Sequence, residues 1–440
     1  MIHTKLGLAA AFAVAAAFST AAQAQTQITW WHSMGGANGK KLEEIVDKFN
    51  KSQSDYKVVP INKGTYSESM TAAIAAFRAG QQPDILQVFE VGTGTFMAAK
   101  QAIYPVQQLM KDEGEKFDPS DYLPTVTGYY QTGGGELLSF PFNSSTPILY
   151  YNKDAFKKAG LDPSQPPKTW SELADDAQKI VTSGAAKCGL TTTWPSWINV
   201  ENLSAWNNTP LATEQNGMAG VDAKFVFADK GLIPRHWANL VKWQKSGVYQ
   251  YRGRASDAGP SFTSGDCAME LESSAGRAAI LQTSKFDVGF GMMPYYKDVQ
   301  GAPQNSIIGG ASLWVLRGKP DDHYKGIAKF FSFLSKPEIQ AEWHQFTGYL
   351  PITKAAYELS KKQGYYEKNP GAEIAIKEIN LNAPKDYTKG LRFGNFVQIR
   401  QMFEEQLEAA LGGKKSAEQA AKDAQETGNK MLREFQAQQQ

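Results

Sequence analysis

The sequence predicts an α/β protein that folds as two lobes. From Ile28 onward, segments typical of strands and helices alternate, which indicates βαβ units and a mostly parallel sheet. The chain has 440 residues, which is more than a single hydrophobic core usually accommodates. The alternation also breaks near residue 146 and then resumes. These observations favour two α/β lobes, each with a mostly parallel sheet flanked by helices.

The elements of the first lobe follow from the spacing of apolar residues. A helical pattern from about residue 40 to residue 50 places four of them on one face, namely Leu42, Ile45, Val46 and Phe49. The neighbouring elements are predicted as strands at 28–31, 56–61 and 84–89 and helices at 67–78 and 94–101. This order of elements predicts strand ends that meet at one edge of the sheet.

The second lobe is predicted to begin after the segment Ser144-Ser145-Thr146-Pro147, which interrupts the pattern. A new strand follows at 148–151, and a second α/β series extends to about residue 310. Helical patterns then occupy 323–334 and most of 398–435. We therefore predict an N-terminal lobe formed by 25–146 and 312–360, and a C-terminal lobe formed by 147–311 and 361–440.

The first 24 residues predict the compartment. Lys5 gives a basic start, and an apolar run extends from Leu6 to Phe18. Ala22 and Ala24 are small residues at the two positions that a signal peptidase recognises before its cleavage site. The alternative, a transmembrane anchor, needs about 20 apolar residues, and this run is shorter. We expect a signal peptide at 1–24, cleavage after Ala24 and a periplasmic protein. The leader contains no cysteine, so we expect no lipid anchor.

The net charge and the spacing of the histidines argue against two classes of partner, nucleic acids and metal ions. The chain has 46 Lys and Arg against 44 Asp and Glu, and this balance argues against a nucleic-acid partner. The histidines after the leader are His32, His236, His323 and His344, and none has the spacing of a metal site. We therefore predict no metal and no cofactor.

Patterns that would indicate catalysis are absent from the sequence. There is no Gly-x-Ser-x-Gly nucleophile motif, and Gly92-Thr93-Gly94 is not completed to a dinucleotide-binding fingerprint. Aromatic residues make up 12% of the chain, including 10 Trp, which favours an aromatic-lined cleft even though most of these rings should lie in the core. The sequence therefore favours a binding protein over an enzyme.

Cys188 and Cys267 are the two cysteines of the chain. In an oxidising compartment such a pair is usually bridged, so we predict a disulfide. The alternative is two buried thiols.

The segment after Cys267 suggests an anion site. A short strand reaches Glu272, and Ser273-Ser274-Ala275-Gly276-Arg277 then opens a helix, whose free N–H groups attract anions. The alternative is ordinary helix capping by serine. Glu270 and Glu272 are unexpected beside an anion site, because their carboxylates would repel an anion. Strand alternation predicts that Glu272 faces away from Ser273.

Several segments resemble the extracellular solute-binding proteins of carbohydrate-type ABC importers. They are Tyr150-Tyr151-Asn152-Lys153, Phe156-Lys157-Lys158-Ala159-Gly160-Leu161, Pro166-Pro167, Lys168-Thr169-Trp170, Gly265-Asp266-Cys267-Ala268-Met269 and Gly413-Lys414-Lys415-Ser416. The resemblance implies a two-lobe periplasmic binding protein with its ligand in a cleft between the lobes. It also implies a protein that works with a membrane permease and an ATPase.

Further segments resemble the members of this family that bind sn-glycerol-3-phosphate, over nearly the whole chain after the leader. They are Trp31-His32-Ser33-Met34, Leu86-Gln87-Val88-Phe89-Glu90-Val91-Gly92, Pro141-Phe142-Asn143-Ser144-Ser145-Thr146-Pro147, Ile307-Ile308-Gly309-Gly310-Ala311-Ser312-Leu313-Trp314, Thr347-Gly348-Tyr349-Leu350-Pro351 and Thr388-Lys389-Gly390-Leu391-Arg392. This resemblance implies capture of sn-glycerol-3-phosphate by a monomer.

The resemblance also implies a set of ligand contacts. The family's contact positions fall on Tyr66, Glu90, Ser145, Ser273, Gly310, Tyr349 and Arg400. Arg400 would grip two phosphate oxygens with its planar fork. Glu90 would accept from the glycerol hydroxyls, and we expect Trp194 and Trp197 to wall the glycerol part. Without the resemblance, Arg400 and Glu90 would be interpreted as ordinary surface charges.

Two other functions remain compatible with the sequence. The same fold could bind a glycerophosphodiester such as glycerophosphocholine, or a sugar. A secreted hydrolase of phosphate esters is the second alternative, and the missing nucleophile and metal patterns argue against it.

Overall fold

A computed structural model describes residues 25–438 of the chain. The predicted signal peptide lies outside the described residues. The strands are β1 (Thr26–His32), β2 (Tyr56–Asn62), β3 (Ile85–Phe89), β4 (Ile103–Tyr104), β5 (Phe140–Ser145), β6 (Pro147–Asn152), β7 (Cys188–Thr192), β8 (Cys267–Ser273), β9 (Val288–Met292) and β10 (Gly309–Leu316).

Helices surround these strands. They are α1 (Gly36–Ser52), α2 (Tyr66–Arg78), α3 (Thr93–Ala98), α4 (Val106–Asp112), α5 (Pro124–Tyr130), α6 (Lys153–Lys158), α7 (Trp170–Thr182), α8 (Leu203–Trp206), α9 (Thr213–Asn216), α10 (Leu232–Lys245), α11 (Gly259–Thr263), α12 (Arg277–Thr283), α13 (Asp321–Leu334), α14 (Pro337–Thr347), α15 (Lys354–Lys362), α16 (Tyr365–Lys368), α17 (Ile374–Ile379), α18 (Phe396–Leu411) and α19 (Ala417–Ala437). Among residues 25–438, no helix is long and apolar enough to cross a membrane.

The strands form two sheets. The first has the order β2-β1-β3-β10-β4, with β5 also paired to β10. The second has the order β7-β8-β6-β9. Strand β1 runs parallel to β2 and β3, and β7 runs parallel to β8. The α/β fold class is therefore confirmed.

The prediction of mostly parallel sheets is wrong, because both sheets are mixed. Each antiparallel pair of these sheets includes either β10 or β6. These two strands carry the chain from one sheet into the other, so each enters its sheet at the edge where the neighbouring strands end. A strand that enters at that edge runs against its neighbours. Sequence patterns do not reveal this, because parallel and antiparallel strands share the same alternation of side chains.

The periodic face predicted for the first helix is confirmed. In α1 the buried positions include Leu42, Ile45, Val46 and Phe49, which pack under the first sheet in one core with Trp30. Burial of such a face is what stabilises a surface helix in a folded domain.

The lobe division remains a prediction, but the sheets support one of its boundaries. Strand β5 ends in the first sheet at Ser145, and β6 begins in the second at Pro147. At the return crossing, β10 pairs with β5 of the first sheet from Gly309 onward.

Candidate ligand-binding site

The structure brings all nine predicted contact residues to the edge where strands of both sheets end. They line a small recess of about 50 Å³, which we call the inner recess. Its walls are Tyr66, Phe89, Glu90, Ser145, Trp194, Trp197, Ser273, Gly309, Gly310, Tyr349 and Arg400. A larger cavity of about 780 Å³, the outer cleft, shares Tyr66, Phe89, Trp194, Ser273, Tyr349 and Arg400 with it.

Local structure explains why these side chains converge. Tyr66 is the first residue of α2, whose start is fixed by a capping box between Thr65 and Glu68. Glu90 directly follows β3, and Ser145 and Ser273 end β5 and β8. Ligands of open α/β sheets usually bind beyond the carboxyl ends of the strands, and these residues occupy that position.

Arg400 is held by two carboxylates at the back of the inner recess. Its Nε and Nη2 donate to the two Glu201 oxygens at 2.8 and 2.6 Å, and Nη2 also donates to Glu90 at 2.6 Å. All three side chains are buried, and Glu201 is only 1% exposed. The cluster therefore has a formal charge of −1 when both carboxylates are ionised.

This pairing corrects the roles expected for Arg400 and Glu90. The guanidinium edge expected to grip phosphate is occupied by Glu201, which leaves Nη1 without a hydrogen bond within residues 25–438. Glu90 accepts from Arg400 through Oε1, and its side chain also lines the inner recess. Burial would lower the pKa of Arg400, but Glu201 and Glu90 outweigh burial and raise the pKa above its ordinary value.

The predicted anion site at Ser273 is also wrong in its main feature. The Ser273 N–H donates to Glu272, the Ser274 N–H to the Thr146 carbonyl, and the Ala275 N–H to the Ser273 hydroxyl. These N–H groups are therefore not free for an anion. The structure shows the alternative, in which serine caps the helical turn.

Glu272 faces the cleft, contrary to the expectation from strand alternation. Its carboxylate lies on the wall of the outer cleft, where it accepts from the Trp194 Nε1–H at 2.9 Å. Burial raises its pKa above the usual range of a glutamate. Alternation fails here because Ser273 is the last strand residue, and the chain turns at this point.

The two predicted tryptophans have different surroundings. Trp194 is partly exposed, has a positive φ of 42° and donates its Nε1–H to Glu272. Trp197 is 4% exposed and packs into a hydrophobic core beside Gly309. Its buried Nε1–H has no partner within residues 25–438, so this donor is available to an acceptor in the inner recess.

Comparison with known proteins identifies the family. The family described as bacterial extracellular solute-binding protein matches residues 44–373 of the chain. The chain belongs to this family. In curated relatives, the sn-glycerol-3-phosphate-binding periplasmic protein UgpB of Salmonella paratyphi A is 54% identical over 434 residues, covering 98% of both chains. The protein of the same name from Escherichia coli O1:K1 is 53% identical over 428 residues, covering 97% of both.

Solved structures give the fold of this solute-binding protein independently. A crystal structure of UgpB from Mycobacterium tuberculosis in complex with glycerophosphocholine superposes with a TM-score of 0.79 at 20% identity. It covers 94% of this chain and 100% of that one. The GacH receptor of Streptomyces glaucescens has a TM-score of 0.77 at 20% identity, covering 93% of this chain and 99% of that one. Both support the two-lobe fold.

The cysteines of this solute-binding protein lie far from the inner recess. Cys188 and Cys267 form a disulfide that joins the first residues of β7 and β8, with Cα atoms 4.5 Å apart. The residues that reach the recess are at the other ends of these strands. The bridge therefore fastens the outer end of the second sheet.

Sequence reasoning missed Phe89 and Gly309, which line the inner recess, and it also missed Glu201. Glu201 contacts Arg400 directly but does not belong to any segment that carried the family resemblance. One signal was present, because Glu201 is the only charged residue between Lys187 and Glu214. A lone carboxylate in a stretch rich in apolar and aromatic residues indicates a buried partner of opposite charge.

We expect Gly310→Ala to lower both stability and affinity. Gly310 has φ +102°, and an added Cβ would collide with the Asn143 carbonyl oxygen. Such strain costs about 1–3 kcal/mol in the free energy of unfolding. Urea unfolding and ligand titration check both effects. The control is Gly133→Ala, where the Cβ meets open space. Equal stability of the two variants would contradict the strain.

Single replacements of Trp194 and Trp197 should show which of the two rings stabilises the hydrophobic core. Trp197→Ala removes a buried ring and should lower the free energy of unfolding by about 3–5 kcal/mol. Trp194→Ala should cost much less, because the Trp194 ring is partly exposed. Urea unfolding measures both variants. A Trp197→Ala protein as stable as Trp194→Ala would show that Trp197 is not part of the core.

Proposed function

We propose that this chain captures sn-glycerol-3-phosphate in the periplasm and delivers it to an ABC importer. The observation that carries the proposal is the identity of 53–54% to proteins named for this ligand, over at least 97% of the chain. The site residues expected from the family resemblance line one recess, which supports the same ligand. The protein acts by binding, without converting its ligand.

The inner recess has groups suited to a phosphate ester. Arg400 supplies a permanent positive charge, and its Nη1 remains available for a phosphate oxygen. The Trp197 Nε1–H and the Ser145 hydroxyl are further donors on the same wall. The Tyr66 hydroxyl accepts from Asn143 at 3.4 Å and can donate its proton to a glycerol hydroxyl.

Calorimetric titration tests this function. One sn-glycerol-3-phosphate should bind per chain, and glycerol or inorganic phosphate alone should bind much more weakly, because each makes part of the contacts. No phosphate should be released on prolonged incubation. Equal affinity for free glycerol would contradict a site built around phosphate, and release of phosphate would indicate an enzyme.

A glycerophosphodiester is the second candidate ligand. The outer cleft is much larger than the inner recess and carries the carboxylates of Glu68, Glu272 and Glu404 on its wall. A diester with a cationic group would place its phosphate at Arg400 and its cation beside these carboxylates, away from the Arg254 guanidinium that also lines the cleft. The Mycobacterium tuberculosis relative was crystallised with such a diester, glycerophosphocholine. Competition between the two ligands in one titration distinguishes them.

We further propose that the protein is a monomer whose lobes close over the ligand by a hinge motion. The contacts expected from both lobes would make the closed form more stable with ligand than without it. The closed form would be recognised by the permease and ATPase complex. X-ray scattering should show one chain per particle and a smaller radius of gyration with ligand. An unchanged radius would contradict closure.

A further inference from the structure

Three stretches of the chain connect the two sheets and the helices that pack on them. The first connection is Thr146, between β5 and β6, and the second is the segment 293–308, between β9 and β10. The third is the segment 363–395, which contains α17. It follows α15, which packs on α14 and through it on α1 beside the first sheet, whereas α17 packs on β6 and β9 of the second. A hinge motion of the lobes would have to be accommodated in these three connections.

The side chain of Glu378, on α17, meets all three connections. Its Oε1 accepts from the Met293 N–H at 2.6 Å, and its Oε2 accepts from the Ser306 hydroxyl at 3.1 Å. The Thr146 hydroxyl of the first connection also lies beside this carboxyl. Glu378 and Thr146 are fully buried and Ser306 is 1% exposed, so water does not compete for these contacts.

Other contacts join the second and third connections alone. The Asn382 amide donates to the Pro303 and Gln304 carbonyls at 3.1 Å each, so the two segments are held side by side. These bonds do not reach the first connection. Glu378 adds that contact through Thr146 and joins all three connections at a single carboxyl.

The connections lead directly to residues of the inner recess. Ser145 immediately precedes the first connection, and Gly310 lies just after the second. The pairing between β5 and β10 ends with Ser145 opposite Gly309, so the chain beyond this pair depends on other contacts for its position. Glu378 supplies such a contact, although it lines neither the recess nor the outer cleft.

We propose that Glu378 is a positioning residue for ligand binding, because it joins the three connections at one carboxyl and thereby fixes the recess residues attached to them. This inference rests on the proposed function. Without the bonds of Glu378, the first and second connections would shift independently, and Ser145 and Gly310 would be correctly placed in only a fraction of the molecules. The apparent affinity falls in proportion to that fraction. A carboxyl that only stabilised the fold would leave the affinity of folded molecules unchanged.

Glutamine and alanine replacements separate the bonds of Glu378 from its bulk stabilising effect. Burial raises the pKa of Glu378 to about 8, so at pH 6 its carboxyl carries a proton and resembles a glutamine amide in shape and charge. Glu378→Gln keeps both bonds, because its carbonyl accepts from Met293 and its amide donates to Ser306, whose hydroxyl can also accept. Glu378→Ala removes both bonds.

Calorimetric titration with sn-glycerol-3-phosphate at pH 6 gives the affinities. Glu378→Ala should bind about tenfold more weakly than the wild type, which corresponds to about one competent molecule in ten. Glu378→Gln should bind as the wild type does. Ser306→Ala removes a single bond and should give an intermediate loss of affinity with a smaller loss of stability.

Asp84→Ala is the matched control for a loss of stability alone. The Asp84 carboxylate is 1% exposed and accepts from the Thr29 N–H and hydroxyl at 2.7 and 2.6 Å. It directly precedes β3, at the end of the strand opposite Glu90. Urea unfolding should show that Asp84→Ala and Glu378→Ala are both destabilised, whereas Asp84→Ala should keep the wild-type affinity.

Hydrogen exchange without ligand tests the same contacts independently of binding. The amides of residues 144–148 and 303–308 should exchange faster in Glu378→Ala than in the wild type. They should exchange at the wild-type rate in Glu378→Gln and in Asp84→Ala.

Wild-type affinity in Glu378→Ala would make Glu378 a structural residue only and overturn the inference. An equal loss of affinity in Asp84→Ala or in Glu378→Gln would overturn it as well. If Glu378→Ala does not fold, wild-type affinity in Ser306→Ala is the result that rejects the role. If the wild type does not bind sn-glycerol-3-phosphate, the proposed function fails, whereas unchanged exchange in Glu378→Ala rejects only the positioning role.

Discussion

Arg400→Ala should abolish most ligand binding and also destabilise the protein. A charge-assisted hydrogen bond to the ligand is worth about 1.5–3 kcal/mol, which corresponds to roughly 10- to 150-fold in affinity. The variant would also leave Glu201 and Glu90 buried without a cation. Breaking one side of a buried ion pair typically costs about 3–5 kcal/mol of stability.

The experiment combines calorimetry with urea unfolding. Arg400→Lys should recover part of both losses, because lysine keeps the charge but cannot bind Glu201 through two nitrogens. Arg78→Ala is the control, since Arg78 is exposed in the last turn of α2. Wild-type affinity in Arg400→Ala would remove Arg400 from the binding site. A free energy of unfolding in Arg400→Ala equal to that of the wild type would show that Glu201 and Glu90 can stay buried without Arg400.

Replacing both cysteines by alanine should cause the second large effect, on stability alone. The bridge between Cys188 and Cys267 spans 79 positions of the sequence. For a loop of this length, the loss of conformational entropy in the unfolded chain gives about 4–5 kcal/mol as an upper value. Affinity should be retained, because the bridge joins the strand ends remote from the inner recess.

Thiol titration and urea unfolding check this expectation. The denatured, unreduced wild type should contain no free thiol, and the double variant should unfold at lower urea concentration. Two free thiols in the wild type would contradict the bridge. A large loss of affinity in a folded double variant would show that the outer end of the second sheet is coupled to the site.

The sequence was informative where local patterns decide the structure. The face of α1 follows from spacing alone, because burying an apolar stripe requires the helical period. The family resemblance supplied seven of the nine predicted contact residues, and the structure brings all nine together in one recess. Strand direction could not be predicted in the same way. It depends on where the chain crosses between the sheets, which is a property of the whole topology.

The ion pairs within the site could be predicted from the sequence less well than the positions of the site residues. The sequence contains Arg400, Glu90 and Glu201, but their pairing joins residues that are 199 and 310 positions apart. Nor does the sequence reveal that Trp197 is buried in the core while Trp194 is partly exposed, although they are three residues apart. Such differences arise from packing, which sequence spacing does not encode.

The crossings between the sheets have a consequence for the order of events during uptake. Both crossing segments contribute to the recess, through Ser145 at the end of β5 and Gly310 at the start of β10. Both residues belong to strands that pair with each other, so under the proposed hinge motion they would form a fixed base for the site. They line the inner recess but not the outer cleft. A solute entering through the outer cleft would therefore reach them last on arrival and leave them first on release.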